Sequence, residues 1–284
     1  MVPNSQDFAI FETSHFFWQI LMVRGIPLLS CQKPTLISHV FILKSISILS
    51  NFSVPKFLIV TSGIGNPGKL SNTEILKLGK IVGQFPQYYP DHQREIFGAT
   101  GGFLGSQFIT CGGYDSDECH TNKCYKLGSE GSFATMKNKR AFADSIVLDN
   151  DKIWILGGSD GTQGSRLSST EYIYSDGRTE EGPPMPIALS SHSVLKINQS
   201  TSFLVGGYAG SSDYIKKTWY FNGEWSKGPD LRIGRSGHSL GIVRDSATFQ
   251  EYLVVAGGYD GSYNLSDVEI LSVNGNAWVS GKLL

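Results

Sequence analysis

The 284 residues include 33 glycines and 11 prolines, with 17% charged residues and a formal net charge of −1. That balance describes a turn-rich, ordered chain, because disordered chains are poorer in apolar groups and richer in charge. A near-neutral chain without a Lys/Arg run has no general attraction for nucleic acid or anionic lipid, and four cysteines are too few for a disulfide-dense miniprotein.

Residues 1–56 read as an atypical N-terminal extension. Phe8-Ala-Ile-Phe11 and Phe16–Val23 are apolar, but Asp7, Glu12, His15 and Arg24 interrupt them, so no membrane span of about 20 residues forms. A second apolar stretch, Thr35 to Val54, contains Lys44 and ends at Pro55. It is signal-like although it starts far from Met1, and a start at Met22 would place Arg24 ahead of it as a secretory leader requires. The other reading of this region is a disordered extension. The acceptor triplets Asn51-Phe-Ser53, Asn198-Gln-Ser200 and Asn264-Leu-Ser266 also suit secretion. An extracellular location is therefore expected, with the cytoplasm as the alternative.

A repeat begins at Phe57-Leu-Ile-Val-Thr-Ser-Gly63 and fills residues 57–284. Its core is an apolar strand ending at a glycine pair: Phe108–Gly113, Ile153–Gly158, Phe203–Gly207 and Leu253–Gly258. The pairs begin at Gly112, Gly157, Gly206 and Gly257, spacings of 45, 49 and 51 residues, which is the period expected of a repeat architecture. A returning strand follows, as in Asn72–Leu78, Ser169–Tyr174 and Ser266–Leu271. Ahead of the glycine-ended strand stand small-residue strands, Arg140–Leu148, Ser190–Ile197 and Arg235–Val243. Arg94–Phe103 is read as the same element with glycines inside it, the inner strand of the second blade, with a loop as the alternative. Trp225–Leu231, Gly182–Pro186 and Phe133–Met136 supply outer-strand endings, where proline is tolerated at an edge. One unit is thus four antiparallel strands. The glycine pair has a physical reason: a strand turning sharply beside neighbouring backbone needs positive φ and close approach without a Cβ.

The glycine pairs, the Glu-Tyr and Glu-Ile returning strands, the Arg or His before the inner strand, and Trp225 and Trp278 six residues before Leu231 and Leu284 together resemble the kelch-repeat family. The resemblance implies an all-β, kelch-type β-propeller of four-stranded antiparallel blades, with about five blades visible. No BTB or BACK region of the kind found in ubiquitin-ligase adaptors is visible before the repeats, so an adaptor role is not expected. Leu284 matches Leu231, placing the chain's end on the outer strand of the fifth blade. A truncated six-bladed ring is the favoured reading of that end. The alternative is that Ser38–Leu43, which echoes Ser191–Leu195, supplies the missing inner strand.

In a propeller of this kind, residues after the glycine pairs and residues before the inner strands converge on one face. The candidate binding set is Tyr114, Asp115, Arg140, Ser159, Asp160, Tyr208, Arg235, Tyr259 and Asp260, with His192 and His238 beside it. Members of the resembled family that bind peptides use this face, and the resemblance implies arginines within it. Aromatic and Arg side chains are effective anchors for protein contacts. The competing explanation is structural: Asp residues forming turns, tyrosines packed on glycine backbone and histidines bonded inside blades.

A non-catalytic protein- or peptide-binding propeller without cofactor is the expected function, with no nucleic-acid partner. The alternative is a secreted metal-dependent enzyme using His192, His238 and cysteines. Gly-x-Ser-x-Gly and Walker-type loops are absent, and Gly63-Ile-Gly-Asn-Pro-Gly68 leads into a strand rather than a helix. Cys111 ends one strand and Cys124 lies on its returning partner, so a disulfide between them is the simpler reading. A zinc set of Cys119, Cys124, Cys111 and His120 is the other, and the pairing among the three cysteines stays open.

Overall fold

The computed structural model describes the strand backbone at 40–45, 56–64 and 69–78, and residues 96–281 apart from 115–119, 150, 163–164 and 246–247. These residues form five antiparallel sheets and no helix. The first sheet holds β1 (Val40–Ser45), β2 (Lys56–Ile64) and β3 (Lys69–Leu78). The second holds β4 (Thr100–Leu104), β5 (Gln107–Cys111), β6 (Lys123–Lys126) and β7 (Ala134–Thr135). In the third are β8 (Asp144–Leu148), β9 (Lys152–Leu156), β10 (Thr170–Tyr174) and β11 (Thr179–Gly182). The fourth has β12 (Ser193–Lys196), β13 (Ser202–Val205), β14 (Thr218–Phe221) and β15 (Trp225–Lys227). The fifth has β16 (Ser239–Arg244), β17 (Glu251–Ala256), β18 (Val268–Ser272) and β19 (Val279–Gly281).

Within each sheet the strands lie in chain order, and the first strands of successive sheets are neighbours, β1 beside β4, β4 beside β8, β8 beside β12 and β12 beside β16. The sheets are therefore blades set around an axis, with the small-residue strand innermost. The glycine-containing stretch over 94–103 does enter an inner strand, β4. The inner strand of the first sheet is Val40–Ser45, paired antiparallel to β2, so it lies upstream of residue 57 where the sequence pattern starts the repeat. Side-chain period, which identifies the later units, is weak there because the run Val40-Phe-Ile-Leu43 is continuously apolar. No strand pairing among the described residues joins the fifth sheet to the first.

The apolar cores lie between blades. In β9, Ile153 and Ile155 face the second blade and pack with Ile109, Cys111 and Met136, while Trp154 and Leu156 face the fourth and pack with Leu204 and Trp219. Strands buried on both faces read as continuous apolar runs, which is why Ile153-Trp-Ile-Leu156 shows no polar alternation. An aromatic residue leading into the outer strand wedges between blades: Trp278 joins Phe203 and Leu231 between the fourth and fifth.

Two backbone devices close the seams. Gly157 and Gly158 have φ of 60° and 99°, and a Cβ on Gly157 would lie 2.6 Å from the Leu189 carbonyl oxygen and 2.8 Å from His192 Cε1 of the next blade. The second glycine then donates across the seam, Gly158 N to Leu189 O at 2.8 Å and Gly207 N to Arg235 O at 2.8 Å. Nearer the axis, Gly98, Phe142, Ser191 and Gly237 occupy one repeat position, all with φ between 52° and 67°. Phe142 N donates to Gly98 O, Ser191 N to Phe142 O and Gly237 N to Ser191 O, each at 2.8 Å. The left-handed backbone turns each N–H toward the preceding blade.

Candidate functional site

The residue after each glycine pair meets the residue before the next stretch of inner strand. Isolated antiparallel bridges join Phe97 to Tyr114, Ala141 to Ser159, Ser190 to Tyr208 and Ser236 to Tyr259. Each bridge sets Tyr114, Ser159, Tyr208 or Tyr259 beside the residue that leads into the inner strand of its own blade. Asp115 lies outside the described residues.

Two aromatic groups form on this face. Tyr208, Tyr214 and Tyr259 stand in a partly exposed row, with ring centroids 5.0 and 5.3 Å apart. The Tyr208 hydroxyl accepts from Ser212 N at 3.3 Å and the Tyr259 hydroxyl donates to Gly261 O at 2.9 Å, which fixes the loops beneath the rings. The other group stacks Tyr114 on Phe97 at 4.6 Å, with the buried His120 tilted against it at 4.1 Å and Phe142 at 5.4 Å. Arg166 connects the two. Its guanidinium lies 4.7 Å from the Tyr208 ring centroid, and its positive charge reaches Tyr114, Tyr214 and His120.

The electrostatics follow from burial. Desolvation raises the Tyr114 and Tyr214 phenols above their ordinary range, and Arg166 partly opposes this in both. Burial lowers His120 to about 4, with Asp160 opposing and Arg166 and Lys139 adding to the shift, so the imidazole is neutral at pH 7. The carboxylates of the face are turned onto their own loops. Asp160 accepts from Thr162 N at 2.8 Å and from the Ser165 hydroxyl at 3.2 Å. Asp260 accepts from Tyr263 N and Ser262 N at 2.7 Å, and those amides hold its carboxyl below the usual range. Ser159 is buried, its hydroxyl accepting from Gly161 N at 3.5 Å.

Arg140 and Arg235 require a correction, because the structure places neither on the face. Both are fully buried inside their blades. Arg140 donates to Glu171 at 2.6 Å, to Gly157 O at 2.7 Å and to Ser169 O at 3.1 Å. Arg235 donates to Glu269 at 2.6 Å, to Gly257 O at 2.8 Å and to Asp267 at 2.9 and 3.1 Å. Each glutamate also caps two backbone amides, Glu171 those of Lys137 and Asn138, and Glu269 those of Arg232 and Ile233. The same position in the fourth and second blades is apolar, Leu189 packing with Trp219 and Ile96 with Tyr125. A position filled interchangeably by an ion pair and an apolar pair is a brace.

His192 and His238 are likewise buried, their rings against the first glycine of the preceding blade, Gly157 and Gly206. Cys111 and Cys124 face each other across β5 and β6 and form a disulfide, which commits both sulfurs and removes them from a zinc set. Among the described residues, no three His, Cys, Asp or Glu side chains come together as a metal-holding group.

Sequence reasoning missed Tyr214, Arg166, His120 and Phe142 as members of the face. Tyr214 carried a usable signal, since the bridges Tyr208 to Tyr214 and Tyr259 to Asn264 repeat between blades. Arg166 carried none, standing in the Gly161–Ser168 loop without a counterpart in the other units.

Comparison with known proteins agrees with this architecture. A family model for the Kelch motif matches residues 245–282, the fifth blade from just before β17 through β19. Kelch repeat and BTB domain-containing protein 2 of cowpox virus (strain GRI-90 / Grishak) is 29% identical over 130 residues, 44% of this chain and 22% of the relative. The horsepox virus protein of that name is 28% identical over 130 residues, again 22% of its length, and that of ectromelia virus (strain Moscow) is 27% identical over 151 residues, 51% of this chain and 26% of the relative. The chain thus matches about a quarter of the length of these relatives. Repeated four-stranded blades, glycine pairs in the second to fifth blades and these likenesses show a chain that carries a Kelch motif and resembles kelch-repeat proteins.

Proposed function

We propose that this chain is a protein-interaction module whose contact surface is the face carrying Tyr208, Tyr214, Tyr259 and Arg166, and that it takes a carboxylate-bearing segment of a partner protein. One observation carries the reading: Arg166 is stacked on Tyr208 yet forms no ion pair among the described residues, while Asp160 and Asp260 are engaged by their own turns. A cation held on an aromatic shelf offers a charge-assisted hydrogen bond and a flat apolar contact together. The Kelch motif and the likeness to kelch-repeat proteins support protein binding as the general role.

The test is affinity capture with the full chain and with an Arg166→Ala/Tyr214→Ala variant, read by mass spectrometry. A protein captured by the first and lost with the second supports the assignment. An unchanged set, or no capture by either, removes it. Arg140 and Arg235 are unsuitable for this purpose, because truncating a brace perturbs the blade. The Cys111–Cys124 disulfide favours an oxidising, extracellular setting for this interaction. Finding the two thiols free in protein alkylated at harvest would contradict that part.

A further inference from the structure

Two hairpin tips carry the dipeptide Asn-Gly, Asn222-Gly223 between β14 and β15 and Asn274-Gly275 between β18 and β19. Such a pair is open to loss of the side-chain amide, because glycine puts no Cβ in the way when its backbone nitrogen swings onto the asparagine side-chain carbon. The two tips differ in what that nitrogen does. Gly275 N donates to Ser272 O at 2.7 Å and is held in its turn. Gly223 N makes no hydrogen bond among the described residues, and the bond that closes this tip runs from Asn222 N to Glu224 O at 3.2 Å. Asn222, Gly223 and Glu224 are exposed, Gly223 has a φ of 80°, and no atom beyond its chain neighbours lies within 4 Å of where its Cβ would stand.

Other carboxamides are tied down. Asn198 Oδ1 accepts from Ser200 N, the Ser200 hydroxyl and Thr201 N at 3.0, 3.1 and 2.8 Å. Asn122 Nδ2 donates to Met136 O at 2.9 Å, and Asn138 Nδ2 to the Ser169 hydroxyl at 3.4 Å. Among the described residues Asn222 alone combines a carboxamide without a hydrogen bond, a glycine after it and an unbonded N–H on that glycine.

We propose that Asn222 is a modification site, deamidating in the folded chain while Asn274 is protected. Gly223 N bonds to Asn222 Cγ and gives up its proton to solvent, and the Asn222 side-chain nitrogen takes a proton and leaves as ammonia. Water then opens the succinimide at either carbonyl, to aspartate or to isoaspartate. Both products add a negative charge beside Glu224. Isoaspartate also carries the main chain through Cβ, which lengthens the turn by a methylene. The turn fixes a hairpin's register, and this one sets Phe221 opposite Trp225, Tyr220 opposite Ser226 and Trp219 opposite Lys227 of the edge strand β15. The Trp225 ring centre lies 4.9 Å from that of Phe221 and 5.9 Å from that of Trp154 in the third blade. Isoaspartate at position 222 therefore loosens the outer end of the seam between the third and fourth blades. None of this depends on what binds the tyrosine face.

The test ages the full chain at mildly alkaline pH, both native and in guanidinium chloride, and follows each site by peptide mass spectrometry, with isoaspartate read by enzymatic methylation. In the native protein Asn222 should convert about two- to tenfold faster than Asn274, the factor set by releasing one backbone hydrogen bond. In denaturant the two rates should become equal. An Asn222→Gln chain should lose the fast methylation and keep the slow one. Equal native rates, a faster Asn274, the same ratio in denaturant as in the native chain, or no conversion at either site would each overturn the assignment. The isoaspartate-bearing fraction, separated by ion exchange, should unfold at a lower urea concentration than an Asn222→Asp chain, which has the charge without the extra methylene. Equal midpoints would overturn the loosening of the seam.

Discussion

The brace at Arg140–Glu171 offers the sharpest measurement. Replacing Glu171 with Leu leaves a guanidinium sealed in the third blade, still donating to Gly157 O and Ser169 O but without a counter-charge. Breaking a buried pair from one side costs about 3–5 kcal/mol, and the uncapped Lys137 and Asn138 amides contribute within that range. At about 2–4 °C per kcal/mol for a domain of this size, the melting temperature should fall by roughly 6–20 °C. The fifth blade supplies the control. Glu269→Leu leaves the buried Arg235 still paired with the partly exposed Asp267 at 2.9 and 3.1 Å, so its cost should be about half as large. An Arg140→Leu/Glu171→Leu chain, which imitates the apolar Leu189–Trp219 and Ile96–Tyr125 braces, should recover most of the loss of the single variant. Urea unfolding followed by tryptophan fluorescence reads all three. Equal costs for Glu171→Leu and Glu269→Leu, or a double variant no more stable than the single one, would refute the brace.

Other expectations follow from the seams and the loops. Gly157→Ala combines a positive φ with a Cβ 2.6 Å from the Leu189 carbonyl oxygen, and should destabilise the chain by about 2 kcal/mol or more in the same unfolding experiment, whereas Gly223→Ala, with nothing near its Cβ, should cost about 1 kcal/mol from its positive φ alone. Opening the Cys111–Cys124 bridge, whose ends are 13 residues apart, should lower stability by roughly 3 kcal/mol in the chain-entropy account, read as the difference between oxidised and reduced protein and absent from a Cys111→Ala/Cys124→Ala chain. His120 is held neutral in the fold with its pKa lowered to about 4, against about 6.5 unfolded. Between those values the unfolded chain binds the proton and the folded chain does not, so stability is complete above about pH 6.5 and falls as the pH drops toward 4. His120→Gln should flatten that part of the profile of unfolding midpoint against pH, and an unchanged slope would exclude His120 as its source.

Much of the fold is legible in the residues because each glycine pair meets two demands at once, a left-handed backbone and a neighbour too close for a Cβ, as Gly157 and Gly206 show. No other residue meets both, so the pairs mark the seams without ambiguity. The first sheet is harder to see, since Ser62-Gly63 departs from the pair and Val40–Ser45 lacks alternation. The face was legible only in part. Tyr114, Tyr208 and Tyr259 could be placed because they follow the glycines directly, whereas Arg140 and Arg235 sit one residue before a bridge to the face and yet point into the blade. A string of letters gives an arginine's register but not the glutamate that draws it inward, and Glu171 and Glu269 lie some thirty residues further on. Arg166 has no repeat counterpart, so periodicity said nothing of it.

The hydrogen-bond relay through Gly98, Phe142, Ser191 and Gly237 has an electrical consequence. Every donor in it points the same way around the axis, from each blade to the one before, so these peptide dipoles are laid head to tail from the second blade to the fifth. Because they follow one another around the axis, they do not add up along one direction as the aligned dipoles of a helix do. These peptides therefore lack the concentrated end charge of a helix terminus, and at the tyrosine face charge is supplied by side chains such as the Arg166 guanidinium, which forms no ion pair among the described residues.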